Sequence, residues 1–131
     1  MAALADRPSV ILRVAHRVLA IPVEHVVETM RPLPIVDGRA EIRGAPCPVV
    51  DVACALALTA DAPARRFVIV RGAHGPIALA VDDVIGVGPL GDGAPVTATS
   101  EDLAAVLRDA RWIAASDLHA AAGAAEPHGV S

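Results

Sequence analysis

Short apolar runs, separated by turn residues at close spacing, dominate the chain. The runs at 9–15 and 17–21 meet tightly at His16 and predict a first β-hairpin. Pro22 cannot donate to a strand ladder, so it ends the second strand and begins a turn. Many short strands with frequent turn signals are typical of a β-barrel or a β-sandwich. The pattern therefore predicts an all-β fold from the start of the chain.

The third predicted strand, at 27–35, is weakened by two prolines. Because Pro32 and Pro34 remove backbone donors, we expect this strand to lie at the edge of a sheet. Two further strands follow turn residues, 39–43 after Asp37-Gly38 and 47–52 after Gly44 and Pro46. The alternation is lost after Asp51, which predicts one or two helical turns, and 60–64 resembles a linker.

The second half repeats this pattern and adds one longer helix. Thr99 or Ser100 is a candidate helix cap, because acidic residues follow in the first turn. One face of this helix is predicted to be apolar, with Leu103, Val106, Leu107 and Ala110. The predicted strands are 67–71, 76–81, 84–87 and 112–115, and a short helix is predicted from Ser116.

Composition restricts the classes of partner. The chain has 131 residues, which fit one domain, and 54% of them are hydrophobic. It contains no Tyr, one Phe and one Trp, so few aromatic rings are available to stack on nucleic-acid bases. The net charge of −4 also disfavours binding to a phosphate backbone. We expect no nucleic-acid partner. All eleven basic residues are Arg, which excludes chemistry that depends on lysine.

Targeting signals are not evident at the N-terminus. Asp6 and Pro8 lie where a signal peptide needs its apolar stretch. No apolar run approaches the ~18 residues that a membrane-spanning helix requires. We therefore expect a cytoplasmic protein with no direct membrane insertion.

Candidate catalytic and metal-binding residues are few. Cys47 and Cys54 match neither a zinc spacing nor a redox pair, and are interpreted as small buried hydrophobic residues. The five histidines lack metal-ligand spacing and are interpreted as solvated. Asp51 and Asp82 each follow an apolar run, where a carboxylate usually caps the next turn. We expect no metal, no cofactor and no enzymatic activity.

Three blocks of sequence carry a resemblance to a known family. They are Ala20-Ile21-Pro22-Val23 with Val26 and Glu28, then Ile42-Arg43-Gly44 with Pro48-Val49-Val50-Asp51-Val52, then Val81-Asp82-Asp83-Val84 with Val87. In this order they resemble the CheW family of chemotaxis coupling proteins. The blocks span most of residues 9–90, and together they are more specific than any one of them.

The resemblance implies a fold and a role. The fold would be all-β with short helices, with two five-stranded SH3-like barrels around a shared core. Residues 1–122 would form one domain, with subdomains at about 9–58 and 65–118 and a flexible tail at 123–131. The protein would be a non-enzymatic adaptor that bridges the cytoplasmic tip of methyl-accepting chemoreceptors to the regulatory domain of a CheA-like histidine kinase.

The resemblance also implies binding residues. Receptor contacts would line a groove between the barrels, at Val26, Glu28, Arg43, Phe67 and Val87. Kinase contacts would use the turns of the first barrel, at Gly38, Arg39, Ile42 and Gly44.

Three departures from the family pattern affect these expectations. Glu41 replaces an asparagine of the family signature and is expected to form an ion pair with Arg43. The segment 29–37 is about nine residues shorter than the family pattern, so a loop is missing there. The region after Pro95 offers one candidate strand where two are expected, which predicts a second barrel that is incomplete or differently closed.

Other functions stay open at this point. A divergent CheW-like module could bind a different partner in another signalling pathway. A small enzyme or ligand-binding barrel is the third possibility, but it needs a concave polar cluster that the sequence does not display. Among single residues, Glu28 could be a solvated edge charge, and Val26 and Val87 could be ordinary core residues.

Overall fold

The structure is a computed structural model that describes residues 7–59, 62–91, 93–98 and 100–113. The strands are β1 Pro8–Val14, β2 Arg17–Pro22, β3 Val26–Met30, β4 Arg39–Ile42, β5 Ala45–Asp51, β6 Arg66–Gly72, β7 Gly75–Val81, β8 Asp83–Pro89 and β9 Arg111–Ile113. The helices are a 3-10 turn Val23–His25, α1 Val52–Ala55 and α2 Glu101–Leu107. The predicted fold class, β-rich with short helices, is confirmed.

The strands form two sheets. One is antiparallel with the order β8-β1-β2-β9, and the other has the order β3-β6-β7-β5-β4. Strand β5 joins two kinds of pairing, because its first half is antiparallel to β4 and its second half is parallel to β7. The hairpin β4–β5 therefore continues directly into the centre of the five-stranded sheet.

Each sheet combines strands from both halves of the chain. Val10 of β1 faces Val87 of β8, and Met30 of β3 faces Phe67 of β6. The segment between residues 58 and 65 is therefore not a boundary between sheets. The division into two subdomains at this segment stays a prediction.

Three hydrophobic clusters pack against the faces of the sheets. Val68 and Val70 of β6 join the largest cluster, whereas Phe67 and Ile69 on the opposite face join a smaller one. A third cluster lies on the outer face of β1 and β2, around Ile11. Because both faces of the central strands are covered, those strands are continuous apolar runs rather than alternating ones.

The third strand is shorter than predicted but lies where predicted. It ends at Met30 rather than at residue 35, because Pro32 and Pro34 cannot donate to a ladder. Strand β3 is an edge strand, as expected. Beyond it, Val36 forms an isolated bridge with Arg39 across a tight turn.

Two of the three predicted helix starts are confirmed. The Asp51 carboxylate accepts a hydrogen bond of 3.2 Å from the Cys54 N–H and caps α1. The Ser100 hydroxyl accepts one of 3.4 Å from the Leu103 N–H and caps α2. The apolar face of α2 is buried as predicted, at Leu103, Val106, Leu107 and Ala110.

Some predicted features lie outside the described residues. They are Thr99, the helix predicted from Ser116 and the tail 123–131. The last predicted strand is observed as β9, which pairs with β2. Among the described residues, no helix has the length and apolar character needed to cross a membrane.

Two interpretations of single residues need correction. Cys47 is buried as expected, but Cys54 is exposed, because α1 is one turn long and buries only Val52 and Ala53. His25 is not fully solvated, since its side chain is 18% exposed and lies beside Asp109. The end of α2 packs close to the 3-10 turn there, which local sequence does not reveal.

Candidate functional site

Arg43 lies at the tip of the hairpin between β4 and β5. Ile42 faces Ala45 across the ladder, so Arg43 and Gly44 form a two-residue turn. Their φ angles are 54° and 80°, which are typical of the type I′ turn that matches the twist of antiparallel strands. Gly44 adopts this conformation without cost, whereas Arg43 has a Cβ that disfavours it. The turn projects the Arg43 guanidinium from the end of the hairpin.

The Arg43 guanidinium binds the carboxylate of Glu28 in a bidentate ion pair. Nε and Nη2 donate to the two carboxylate oxygens, each at 2.8 Å. The Glu28 side chain is 25% exposed and that of Arg43 is 75% exposed. Planar fork-to-fork pairing fixes the orientation of both groups, so the outer face of the guanidinium is presented to solvent in a defined position.

The ion pair links the two edges of the five-stranded sheet. Glu28 lies on β3 and Arg43 follows β4, which are the opposite ends of the strand order. The expected pair between Glu41 and Arg43 is wrong, since Arg43 binds Glu28 instead. The reason is local: the left-handed conformation takes Arg43 out of the strand on which Glu41 lies.

The ion pair changes the electrostatics of both groups. The hydrogen bonds from Arg43 lower the pKa of the Glu28 carboxyl below its ordinary value. The same contact raises the pKa of the Arg43 guanidinium. At neutral pH both groups are therefore charged.

A mostly apolar concave surface lies against this ion pair. Its volume is about 270 Å³. Its lining residues come from β3, the β4–β5 hairpin and the sheet beneath it: Val27, Glu28, Ile42, Arg43, Ala45, Pro46, Cys47, Ile69 and Pro76. We name this surface the ion-pair groove. Val27 was not predicted from the sequence as a site residue. It is 46% exposed, which makes it the most accessible of the large apolar side chains in this lining.

The other three predicted receptor residues do not line the ion-pair groove. Val26 is half-buried at the start of β3 and packs against the largest cluster. Val87 is 52% exposed but lies on β8, an edge strand of the other sheet. Phe67 is 1% exposed, so its side chain does not reach the surface and supports the groove only from beneath. Their assignment to receptor binding stays a prediction.

The predicted kinase residues cluster around the same hairpin. Gly38 lies in the turn before β4 and Gly44 in the turn after it, with φ angles of 76° and 80°, and Arg39 is exposed at the start of β4. Ile42 is 8% exposed and packs into the smaller cluster. Its side chain therefore anchors β4 rather than facing a partner.

A second concave surface lies along β4 and shares Pro46 with the ion-pair groove. Its volume is about 640 Å³, and we name it the β4 surface. It is lined by Leu33, Pro34, Val36, Asp37, Arg39, Ala40, Glu41 and Pro46. Beside it, Ile35 and Val36 are 52% and 69% exposed, which is unusual for large apolar side chains.

A separate group of ion pairs was not predicted from the sequence. Arg7 contacts Glu24 at 2.6 Å and Asp109 at 3.7 Å, and His25 lies 3.5 Å from the same Asp109 carboxylate. This group joins the start of the first strand, the 3-10 turn and the end of α2. Its members are distant in sequence, so no local pattern indicates it.

The buried thiol of Cys47 is poorly suited to nucleophilic catalysis. Burial raises the pKa of the Cys47 thiol, which disfavours a nucleophilic thiolate. Its Sγ instead donates to the carbonyl of Pro76 at 3.4 Å. Within the described part of the chain, no three His, Cys, Asp or Glu side chains cluster as metal ligands would.

These features define a β-rich domain of two sheets, with two open concave surfaces lined by residues of the β4–β5 hairpin. The family model of the CheW-like domain matches residues 8–105, and the chain belongs to that family of scaffold and adaptor domains. The crystal structure of the scaffolding protein TtCheW from Thermoanaerobacter tengcongensis is similar, with a TM-score of 0.60 at 20% identity. The similarity covers 74% of this chain and 84% of TtCheW. No curated protein matches the chain.

Proposed function

We propose that this protein is a non-enzymatic cytoplasmic adaptor that couples a chemoreceptor to a CheA-like histidine kinase. Membership of the CheW-like domain family supports the adaptor role. The observation that carries the proposal is the bidentate Arg43–Glu28 pair beside an apolar groove. It combines an oriented cation with apolar surface, which is a common basis of specific protein recognition.

The receptor tip would bind along the ion-pair groove. Val27 offers apolar area and the Arg43 guanidinium keeps unshared donor capacity on its exposed side. A helical receptor segment with an apolar stripe and a neighbouring carboxylate fits this chemistry. Val87 on β8 would extend the contact if the bound segment crosses from one sheet to the other.

The kinase regulatory domain would bind at the β4 surface. Arg39 is exposed and lines this surface, and the turns at Gly38 and Gly44 precede and follow β4. Strand β4 is an edge strand, so part of its backbone is also available to a partner. The two proposed partners would thus bind neighbouring surfaces that meet at Pro46 of the β4–β5 hairpin.

The receptor side is tested by charge reversal with compensation. The variants Arg43→Glu, Glu28→Arg and the double exchange are mixed with a soluble receptor cytoplasmic fragment, and affinity is measured by calorimetry. If the cation at position 43 contacts the receptor, Arg43→Glu weakens binding and the double exchange, which can restore an ion pair, does not recover it. Arg108→Glu, an exposed change at the end of α2, is the matched control.

Two results would count against the proposal. Unchanged affinity of Arg43→Glu would remove the groove assignment. Full recovery by the double exchange would show that the pair matters only for holding the two sheet edges together. The thermal midpoint of each variant, followed by circular dichroism, separates weakened binding from unfolding.

A second candidate is a CheW-like module that binds a different partner through the β4 surface. The specific observation that favours it is the exposure of Ile35 and Val36 beside Glu41, in the segment that is short relative to the family pattern. Affinity purification from cells that lack a chemotaxis kinase tests it. A stable complex there, lost in Val36→Asp, would support this candidate over the coupling role.

A further inference from the structure

Three arginines surround a pocket beside the end of β3 and the start of β6. Arg31, Arg65 and Arg66 line it together with Pro32 and Asp83, and its volume is about 550 Å³. Three of the eleven basic residues of an acidic chain therefore meet at one place. None of these five residues lines the ion-pair groove or the β4 surface.

Strand pairing brings these arginines together. Met30 of β3 faces Phe67 of β6, so continuing the antiparallel register by one residue places Arg31 opposite Arg66. The Arg65 N–H donates to the Val81 carbonyl at 3.0 Å, which holds Arg65 next to the turn that leads to Asp83. Backbone pairing in the sheet thus fixes the backbone position of each arginine.

The guanidinium groups lack partners within the described residues. None of the three forms an ion pair or a side-chain hydrogen bond there, whereas Arg7 and Arg43 both bind carboxylates. Like charges at facing strand positions repel one another. The nearest acidic lining residue, Asp83, accepts a hydrogen bond of 2.8 Å from the Val84 N–H. An excess of positive charge is left facing the pocket.

We propose that Arg31, Arg65 and Arg66 form a docking site for an acidic segment of a partner protein. Two or more adjacent carboxylates would neutralise the facing arginines through bidentate hydrogen bonds, as Glu28 does for Arg43. All three arginine side chains are exposed, so a protein segment reaches them without rearrangement of the fold.

Carboxylates fit this pocket better than a phosphate group. Phosphate sites usually draw on backbone N–H groups at a helix start or a nest, and Pro32 in this lining has no N–H. Asp83 adds a negative charge to the rim, which penalises a compact dianion more than single carboxylates spaced along a peptide. The site therefore favours carboxylates spaced along a peptide over a compact phosphate group.

The test uses the full chain and a fluorescein-labelled hexaglutamate peptide at low ionic strength, followed by fluorescence anisotropy. We expect saturable binding that weakens about tenfold or more in the double variant Arg31→Gln/Arg66→Gln, because two charge-assisted contacts are lost. Asp83→Asn is expected to tighten binding about twofold, since it removes a repulsive charge. Arg108→Gln, which removes an exposed arginine elsewhere, is the matched control.

Several results would overturn the site. Weakening per charge removed that is equal in Arg108→Gln and in the double variant would show binding by net charge alone. Binding of hexaglutamine as tight as that of hexaglutamate, or no binding of hexaglutamate, would remove the acidic peptide as the ligand. Tripolyphosphate that binds where hexaglutamate does not would assign the pocket to phosphate. The test involves no chemotaxis protein, so its result is independent of the proposed adaptor function.

Discussion

Arg43 and Glu28 are 15 residues apart in sequence and join the two edges of the five-stranded sheet through two hydrogen bonds of 2.8 Å. An open sheet with free edges exposes backbone donors and acceptors along both of them. Here the hairpin tip of one edge reaches the other edge, so the sheet curves round toward closure. The same contact orients the cation that we propose for receptor binding.

Glu28→Gln is expected to lower the urea midpoint of unfolding at neutral pH and to have less effect in acid. Because Arg43 lowers the folded-state pKa of Glu28, the pair stabilises the fold when the carboxyl is ionised and loses that effect as the pH falls through the folded-state value. The difference between wild type and variant should therefore shrink as the pH falls below the ordinary pKa of a glutamate carboxyl and through the lowered folded-state pKa of Glu28. A difference that stays constant with pH would contradict an ionic origin.

Gly93→Ala is expected to destabilise the fold strongly. A Cβ at Gly93 would overlap the backbone oxygen of Trp112, and a backbone atom on a paired strand cannot move away easily. Overpacking of this kind costs about 1–3 kcal/mol or more. Chemical denaturation measures it, with Gly91→Ala as the control.

Gly91 has a φ angle of 82°, and among the described residues, apart from its chain neighbours, no heavy atom lies within 4 Å of the place where a Cβ would be. Its substitution by Ala therefore costs only the backbone strain of about 1–2 kcal/mol. A smaller loss in Gly93→Ala than in Gly91→Ala would contradict the close approach between the segment at residue 93 and β9.

Val87→Ala and Phe67→Ala should separate receptor binding from stability. Val87 is 52% exposed, so its truncation is expected to change the free energy of unfolding by less than about 0.5 kcal/mol while weakening receptor binding. Phe67 is 1% exposed, and its truncation is expected to cost about 3–5 kcal/mol. Denaturant titration and calorimetry with a receptor fragment measure the two effects. Unchanged affinity of Val87→Ala would confine the receptor site to the ion-pair groove.

The two thiols are expected to react at different rates. Cys54 is exposed, whereas Cys47 is buried and the pKa of its thiol is raised by that burial. In the native protein an aromatic disulfide reagent should label one thiol quickly and the second slowly, and unfolding should make both rates alike. In Cys54→Ser the fast phase should disappear. Its persistence would mean that Cys47 is accessible.

The sequence predicted the local elements well because their signals are local. Alternating apolar positions and paired turn residues indicated β4 and β5, and the caps at Asp51 and Ser100 marked two helix starts. The end of β3 was predicted wrongly, since apolar residues continue beyond Met30 although the prolines prevent pairing.

The candidate site could be predicted only in part. Arg43 and Glu28 were both singled out, but Glu41 was expected as the partner of Arg43 because it lies two residues away. The observed pair depends on the strand order of the sheet, and that order arises from pairings between distant segments. The pocket around Arg31 and Arg66 depends on the same long-range register, so no local pattern indicates it.

The pairing of β1 with β8 has a consequence for how the chain folds. Pro8 faces Pro89 and Val10 faces Val87, and β2 pairs with β9, so the first sheet cannot be completed until the chain has been synthesised through β9. Contacts between such distant segments slow folding, because a long loop must close before they form. Until then, β1 and β2 lack their neighbouring strands β8 and β9.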